Sequence, residues 1–312
     1  VSARHHHYLS QCYLRGFTSG NAKNSKLTVI DFKEKKHFET IPRNVGGLRD
    51  FNRIDVEGFP QDIIETTLAE FESGASIALK RVDEGAAFEG DDKIFILNLM
   101  ALLATRSPER RENWRQIQAQ IAEQLIGFTL ASEDRWDSQI EQLRRAGGPV
   151  HEAVTYEKMK EFVEKKQYTI EVPTERHIDL ELVAIEAILP CLFNRNWIVL
   201  RSTEESRPYI ATDHPVVLLW KDPGNIPRLY QNSPGFGLRG TQIFFALSSK
   251  VVIVGEFDGE LGDTDADPRT VAVLNGIFLQ NFHKQVYAPK LSFKFVGNKG
   301  EIVEGRQLLK SL

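Results

Sequence analysis

Asn196-Trp197-Ile198-Val199-Leu200 is the stretch that decides the fold, because the chain changes character there. β-Branched and aromatic residues fill it. They also fill Tyr209-Ile210-Ala211-Thr212, Val216-Val217-Leu218-Leu219-Trp220, Ile243-Phe244-Phe245-Ala246-Leu247 and Val251-Val252-Ile253-Val254. Such side chains suit the pleated, half-buried surface of a sheet. One helix, introduced by Asp267-Pro268, is predicted over 268–284, and Phe293–Val296 with Glu301–Val303 reads as a terminal hairpin.

Upstream the periodicity is helical. Ile64, Leu68, Phe71, Ala75 and Leu79 recur at offsets of three and four, one apolar stripe on a helix from Pro60 to Val82. Asp92 is a candidate cap for the next helix, whose body, Ile94 to Ala104, is apolar nearly all round and predicts a central buried element. Ser107-Pro108 reads as an N-cap followed by proline at the first helical position, starting a helix through Trp114, Ile117, Ile121 and Leu125. Further helices are expected near 133–146, 155–166 and 175–191, with a break at Gly147-Gly148-Pro149. At the other end, a short helix stopped by Gly16 precedes a loop at Ser19-Gly20-Asn21 and two strands, Leu27–Phe32 and His37–Ile41. Pro42 to Phe59 reads as irregular. The segregation gives an α+β fold: a helical middle region packed against a mostly antiparallel C-terminal β-sheet, with an N-terminal helix and hairpin. One domain over 1–312 is expected, with subregions 1–59, 60–192 and 193–312.

The 312 residues can build a real core, and 26% charged with 41% apolar residues excludes wholesale disorder. The net charge of −4 gives no global attraction to nucleic acid or anionic lipid. Nucleic acid is therefore a partner that net charge does not support. Arg106, Arg110, Arg111 and Arg115 could form a local basic groove, although a solvated helix face is the favoured reading. Cys12 and Cys191 both sit among apolar residues, which fits reduced thiols and a cytoplasmic location. No apolar run is long enough to cross a membrane, and no leader-like segment is read at the N-terminus. The four tryptophans, Trp114, Trp136, Trp197 and Trp220, are read as core packing.

His6-His7-Tyr8, Gln11, Tyr13-Leu14-Arg15 and Phe17 resemble the HHYxPxxYLxxF opening of the domain-of-unknown-function 4238 family (DUF4238). Asn44-Val45 with Phe51 resembles its NV…FY segment, and Ile64-Glu65 through Glu70-Phe71-Glu72 its IE…xExE helix. Arg106-Ser107-Pro108-Glu109-Arg110-Arg111 is similar to RTPxxR, and Thr212-Asp213-His214-Pro215-Val216 to TSDNPV. Ser10 departs from the usual proline and His214 from the usual asparagine. Ala246-Leu247-Ser248-Ser249 stands where PLSP is typical. The resemblance carries no settled activity. Some members are associated with bacterial defence against phage, which implies a host-protective or toxic role.

Three clusters could carry chemistry. Adjacent His6 and His7 diverge in regular structure, so one of them, with a distant carboxylate, could be a metal ligand or general acid/base. The plainer reading gives one imidazole a buried carbonyl and leaves the other solvated. Glu65 and Glu72 lie about 10.5 Å apart on one edge of the helical stripe. They could point into a cleft or form an ion-pair network with Arg106, the favoured reading. Asp213 stands at a strand end, where catalysis and turn-making are equal alternatives. Were His6 or His7 to lie against it, the pair could supply ligands to Mg²⁺ or Mn²⁺, the candidate ions. Tyr8, Gln11, Arg15 and Arg106 are candidate binding residues, Arg15 or Arg106 steadying a phosphate. Two functions follow: a metal-dependent nuclease or phosphodiesterase-type hydrolase linked to phage defence, and a non-enzymatic ligand- or protein-binding sensor. What separates them is whether these side chains converge on an open cleft or disappear into a satisfied interior.

Overall fold

A computed structural model of the chain describes residues 5–20, 24–151, 153–166, 168–232 and 234–311. The loop expected at Ser19-Gly20-Asn21 runs past Gly20 into residues outside this set. The chain forms two compact units, Val1–Ser107 with Ile178–Leu312, and Pro108–His177.

The larger unit begins with strand β1 (His5–His7), helix α1 (Gln11–Arg15) and strands β2 (Leu27–Asp31), β3 (Lys36–Thr40) and β4 (Gly47–Arg49). Gly16 ends α1, as the sequence predicts, and β2–β3 is the expected hairpin. The stretch 42–59 is less irregular than its composition indicates, because β4 pairs antiparallel with β1. Gly46 makes that pairing possible. Its φ of +67° turns the chain, and a side chain there would run into Leu9. Helices α2 (Ile63–Asp83) and α3 (Gly90–Thr105) follow. Glu89, not Asp92, occupies the N-cap position of α3. Asp92 lies in the first turn and pairs with Arg81 at 3.2 Å, where its charge also suits the helix N-terminus.

The smaller unit contains α4 (Pro108–Thr129), α5 (Glu133–Arg145) and α6 (Tyr156–Glu164). Ser132 and Thr155 cap the last two, accepting from the N–H groups of Arg135 (3.3 Å) and Lys158 (3.4 Å). The Tyr156 hydroxyl donates to the Leu130 carbonyl at 3.0 Å, tying α6 to the end of α4. Trp114 overturns the core-packing expectation: it is exposed on α4.

From Ile178, helix α7 (Thr174–Phe193) belongs to the larger unit. Then come β5 (Asn196–Ser202), β6 (Ala211–Thr212), β7 (Val216–Trp220), β8 (Thr241–Ala246), β9 (Val251–Glu256) and β10 (Gly262–Ala266). The chain continues through α8 (Pro268–Leu279), β11 (Gln285–Ala288), β12 (Lys294–Val296) and β13 (Ile302–Glu304). Helix α8 stops short of residue 284 because its successors are needed as strand β11. The expected terminal hairpin is β12–β13.

Two sheets result. One runs β10-β5-β9-β8-β7, antiparallel except where β10 joins β5 in parallel. The other, β3-β2-β11-β6, is antiparallel and carries the N-terminal hairpin beside C-terminal strands. A single core joins α1, α2 and α3 to both sheets through residues such as Tyr13, Val82, Leu99, Phe245, Val252 and Tyr287. The architecture is α+β, with the helical middle and antiparallel-rich sheet read from the sequence.

Candidate functional site

Strand alternation separates the three histidines. His6 turns inward and is buried, while His5 and His7 share the other face with ring centroids 5.0 Å apart. His6 Nδ1 accepts the main-chain N–H of Asn52 at 2.9 Å. The Asn52 side-chain amide donates in turn to the carboxylate of Glu65, in the first turn of α2. Arg106, at the end of α3, donates to the His7 carbonyl, lies 3.9 Å from Glu65 and places its guanidinium over the Phe51 ring. Strand β1, helix α2 and helix α3 are thereby tied at one point. Glu65 and Arg106 form the ion pair that the stripe-edge reading favoured.

His7 Nε2 lies 3.1 Å from the Arg43 carbonyl, which can only accept, so Nε2 carries the proton. Nδ1 is left to accept from the Gln11 amide at 3.5 Å. Burial lowers the His7 pKa against the bond to Arg43, so the ring is neutral near pH 7. Glu72, two turns beyond Glu65, moves the other way. Burial raises its pKa, while a hydrogen bond from Ser10 and the charge of Arg106 oppose the rise. Ser10 has φ −55° and ψ 133°, angles a proline adopts, so its backbone shape suits the usual residue while its hydroxyl adds the bond to Glu72.

Tyr8 begins a second network. Its hydroxyl meets that of Tyr287, which donates to Gln285 Oε1 at 2.7 Å. Since Tyr287 has one proton and Gln285 receives it, Tyr8 donates to Tyr287. Gln285 Nε2 passes the chain to Asp31 at 2.5 Å. Burial pushes the Tyr8 phenol up to about 12, helped by the charges of Asp213 and Asp31. Asp213 itself is buried and accepts three main-chain N–H groups, from His283 (2.9 Å), Lys284 (2.7 Å) and Gln285 (3.0 Å). It fastens the segment that leads into β11, and the first residue of that strand, to the end of β6. These bonds reach residues 70–72 positions away in sequence, so they hold a distant segment and are not a local Asx-turn.

Arg15, whose charge also reaches Glu72, stands on the wall of a cleft of about 850 Å³. Helix α1, the second half of α2 and the β8–β9 turn line it, with Cys12, Arg15, Lys80, Asp83, Ser248 and Lys250 among its residues. Ser249 N–H donates to the Gly16 carbonyl at 2.8 Å, and a Cβ on Gly16 would come within 3.0 Å of Leu247 and Ser248. Close approach therefore requires glycine at the end of α1. Ser248 organises the floor: its hydroxyl donates to Asp83 and accepts from the N–H groups of Lys250 (3.0 Å) and Val251 (3.2 Å). Asp83 also faces Lys250 at 3.7 Å, and Lys80 faces Glu84 at 3.8 Å. Among the described residues, Arg15 has no hydrogen-bonding side-chain partner. Burial lifts the Cys12 thiol to about 12, so it stays protonated.

The profile of the family described as "Protein of unknown function (DUF4238)" matches residues 5–290. The chain belongs to the DUF4238 family. The match spans both compact units, and the sequence resemblance is thereby confirmed. Nothing matches among the curated proteins or among the solved structures. Within this DUF4238 chain, the structure gathers His6, His7, Gln11, Glu65, Glu72 and Arg106 around β1, and brings Tyr8 within electrostatic reach of Asp213. Asn52, Asp31, Gln285 and Tyr287 were missed by sequence reasoning because nothing local announces their partners. Ser248 had a signal, lying where the family's PLSP is typical. Among the described residues no three His, Cys, Asp or Glu side chains converge as ligands of one ion, and no helix is long and apolar enough to cross a membrane.

Proposed function

We propose that this DUF4238 protein is a non-enzymatic binding module whose cleft beside α1 takes a small anionic ligand, with Arg15 as its principal contact. The observation that carries this reading is that the family motifs turn their polar atoms onto the protein's own main chain. His6 accepts from Asn52, Arg106 donates to His7, and Asp213 accepts from three consecutive N–H groups. Groups held this way build a frame. The α1 segment of the first motif then presents Arg15 to a cleft whose carboxylate Asp83 is already engaged by Ser248 and Lys250. One guanidinium hydrogen-bonding an anion is worth about 1.5–3 kcal/mol, enough for a tenfold or larger effect on affinity.

Calorimetry of the full chain with inorganic phosphate tests this. Saturable binding, weakened about tenfold by Arg15→Ala at unchanged melting temperature, is expected. The hydrolytic reading, with Mg²⁺ or Mn²⁺ and a role in phage defence, makes a different prediction. Mn²⁺-dependent cleavage of DNA, RNA or nucleotides, lost in a well-folded Asp213→Asn variant, would replace the binding-module reading with it.

A further inference from the structure

Helix α4 carries an apolar stripe that its own unit leaves uncovered. Trp114, Ile117, Ile121, Leu125 and Phe128 are each 42–64% exposed. Among the half-buried positions of the same helix, Arg115, Ala119, Ala122, Ile126 and Thr129 lie on a different face and Gln118 lies between the two, and α4 packs with α5. Taking Ile121 as zero at 100° per residue, the five exposed residues fall at about +20°, −40°, 0°, +40° and −20°. The stripe is narrow, spaced by threes and fours, and about 21 Å long. A face of that kind on a globular unit marks an interaction surface.

Its pattern also identifies the partner. The spacings three, four, four and three read the same in both directions about Ile121. The signs of the angles reverse about the same point. An antiparallel two-fold therefore sets Trp114 against Phe128 of a second copy, Ile117 against Leu125, and Ile121 against itself. The flanks agree. Gln118 and Gln124, at about +60° and −60°, border the stripe on opposite sides without charge, and the charged Arg115 and Glu123 lie farther round, at about +120° and −160°. No like charges are brought together, and charge depletion at the centre is the mark of an interface core. At about 100 Å² apiece the five side chains bury about 500 Å² per copy, or about 1,000 Å² in all, the lower bound for a specific pair.

We propose that this face of α4 is where a second copy of this chain docks, the two helices antiparallel about Ile121. The test is sedimentation velocity of the full chain across two decades of concentration, with three variants. The unaltered chain is expected to move from monomer to dimer. Ile121→Asp, which sets two carboxylates face to face on the axis, is expected to remain a monomer with an unchanged circular dichroism spectrum. Glu123→Lys, on the back of the helix, is expected to dimerise like the parent. Mild oxidation fixes the direction. Ile121→Cys is expected to form a crosslinked dimer, with the unaltered chain as the blank for Cys12 and Cys191. Phe128→Cys is not, since its mates lie about 21 Å apart along the pair. A parent that stays monomeric throughout overturns the proposal, whether or not it floats with phosphatidylserine vesicles. Crosslinking by both cysteine variants overturns the antiparallel arrangement.

Discussion

Helices α3 and α4 are successive, both carry large apolar residues at helical spacing, and they meet opposite fates. Ile96, Leu97, Leu99, Met100 and Leu103 of α3 vanish into the core of the larger unit, whereas the stripe of α4 stays open to solvent. The same difference runs through the polar groups. In the larger unit, buried side chains hold distant main-chain segments, as Asp213 holds residues 283–285. The smaller one carries ion pairs that are local and at the surface: Arg115 with Glu112, Arg144 and Arg145 with Glu141. Periodicity tells which face of a helix seeks cover. It does not tell whether the cover comes from the same chain.

The largest expected effect lies where the larger unit hangs on one carboxylate. Asp213→Ala leaves three N–H groups without their acceptor, and a loss of about 4 kcal/mol is expected. Ser132→Ala, the corresponding loss of a helix cap in the smaller unit, is expected to cost about 1 kcal/mol. Urea melts give the totals. Hydrogen exchange assigns them, with protection lost across 283–288 in the first variant and around α5 in the second. Equal costs would break the comparison.

Core packing gives the next contrast. Leu99→Ala is expected to destabilise by about 3 kcal/mol, since Leu99 is wholly enclosed. Leu125→Ala removes the same atoms from an exposed site and is expected to stay within about 0.5 kcal/mol in dilute protein. A cost for Leu125→Ala that grows with protein concentration would sharpen the comparison, because it would show the stripe finding its cover in a second copy.

Most of the architecture was legible because it is periodic. The helix of residues 94–104, the hairpin 27–41 and the five runs from 197 to 254 all announce themselves within ten or so residues. What was not legible is closure over distance. Strand β11 pairs with β2 across the whole chain, and its four residues carry too short a pattern to compete with the helical run before them. β4 is likewise a strand only because β1 lies beside it. The site was half legible for the same reason. Residue type and spacing singled out His6, Glu65, Arg106 and Asp213. Their partners, Asn52 and the N–H groups of 283–285, are ordinary residues or main chain, and only the fold brings them near.

The smallest effects concern pH, and they contrast two buried groups of the larger unit with an exposed one of the smaller. At His7 and Glu72 burial does the shifting. His7 has its pKa lowered, so its folded form prefers the neutral ring. That preference contributes stability above the unfolded value of about 6.5, and it is lost as pH falls through the folded value. Glu72 is raised, so its contribution is full below its unfolded value and fades as pH climbs through the folded one. His7→Gln, which keeps a donor and an acceptor but cannot charge, is therefore expected to flatten the fall in melting temperature between pH 7 and pH 5. Glu72→Gln is expected to raise the melting temperature at pH 7 and to lose that advantage on acidification. At Glu112 of the smaller unit the cause is at the surface. Hydrogen bonds from Arg115 and Gln116 hold Glu112 down to about 2, so its contribution is lost only as pH falls toward that value. Salt distinguishes the two, because it screens an exposed pair and leaves a desolvation shift nearly intact. Molar sodium chloride should move the Glu112 titration, followed by carboxylate NMR, back toward its ordinary value while leaving the His7 ring resonances on their low-pH midpoint. Movement of both by the same amount would mean that His7 is solvated, and the polar frame around β1 would then have to be read as an open site.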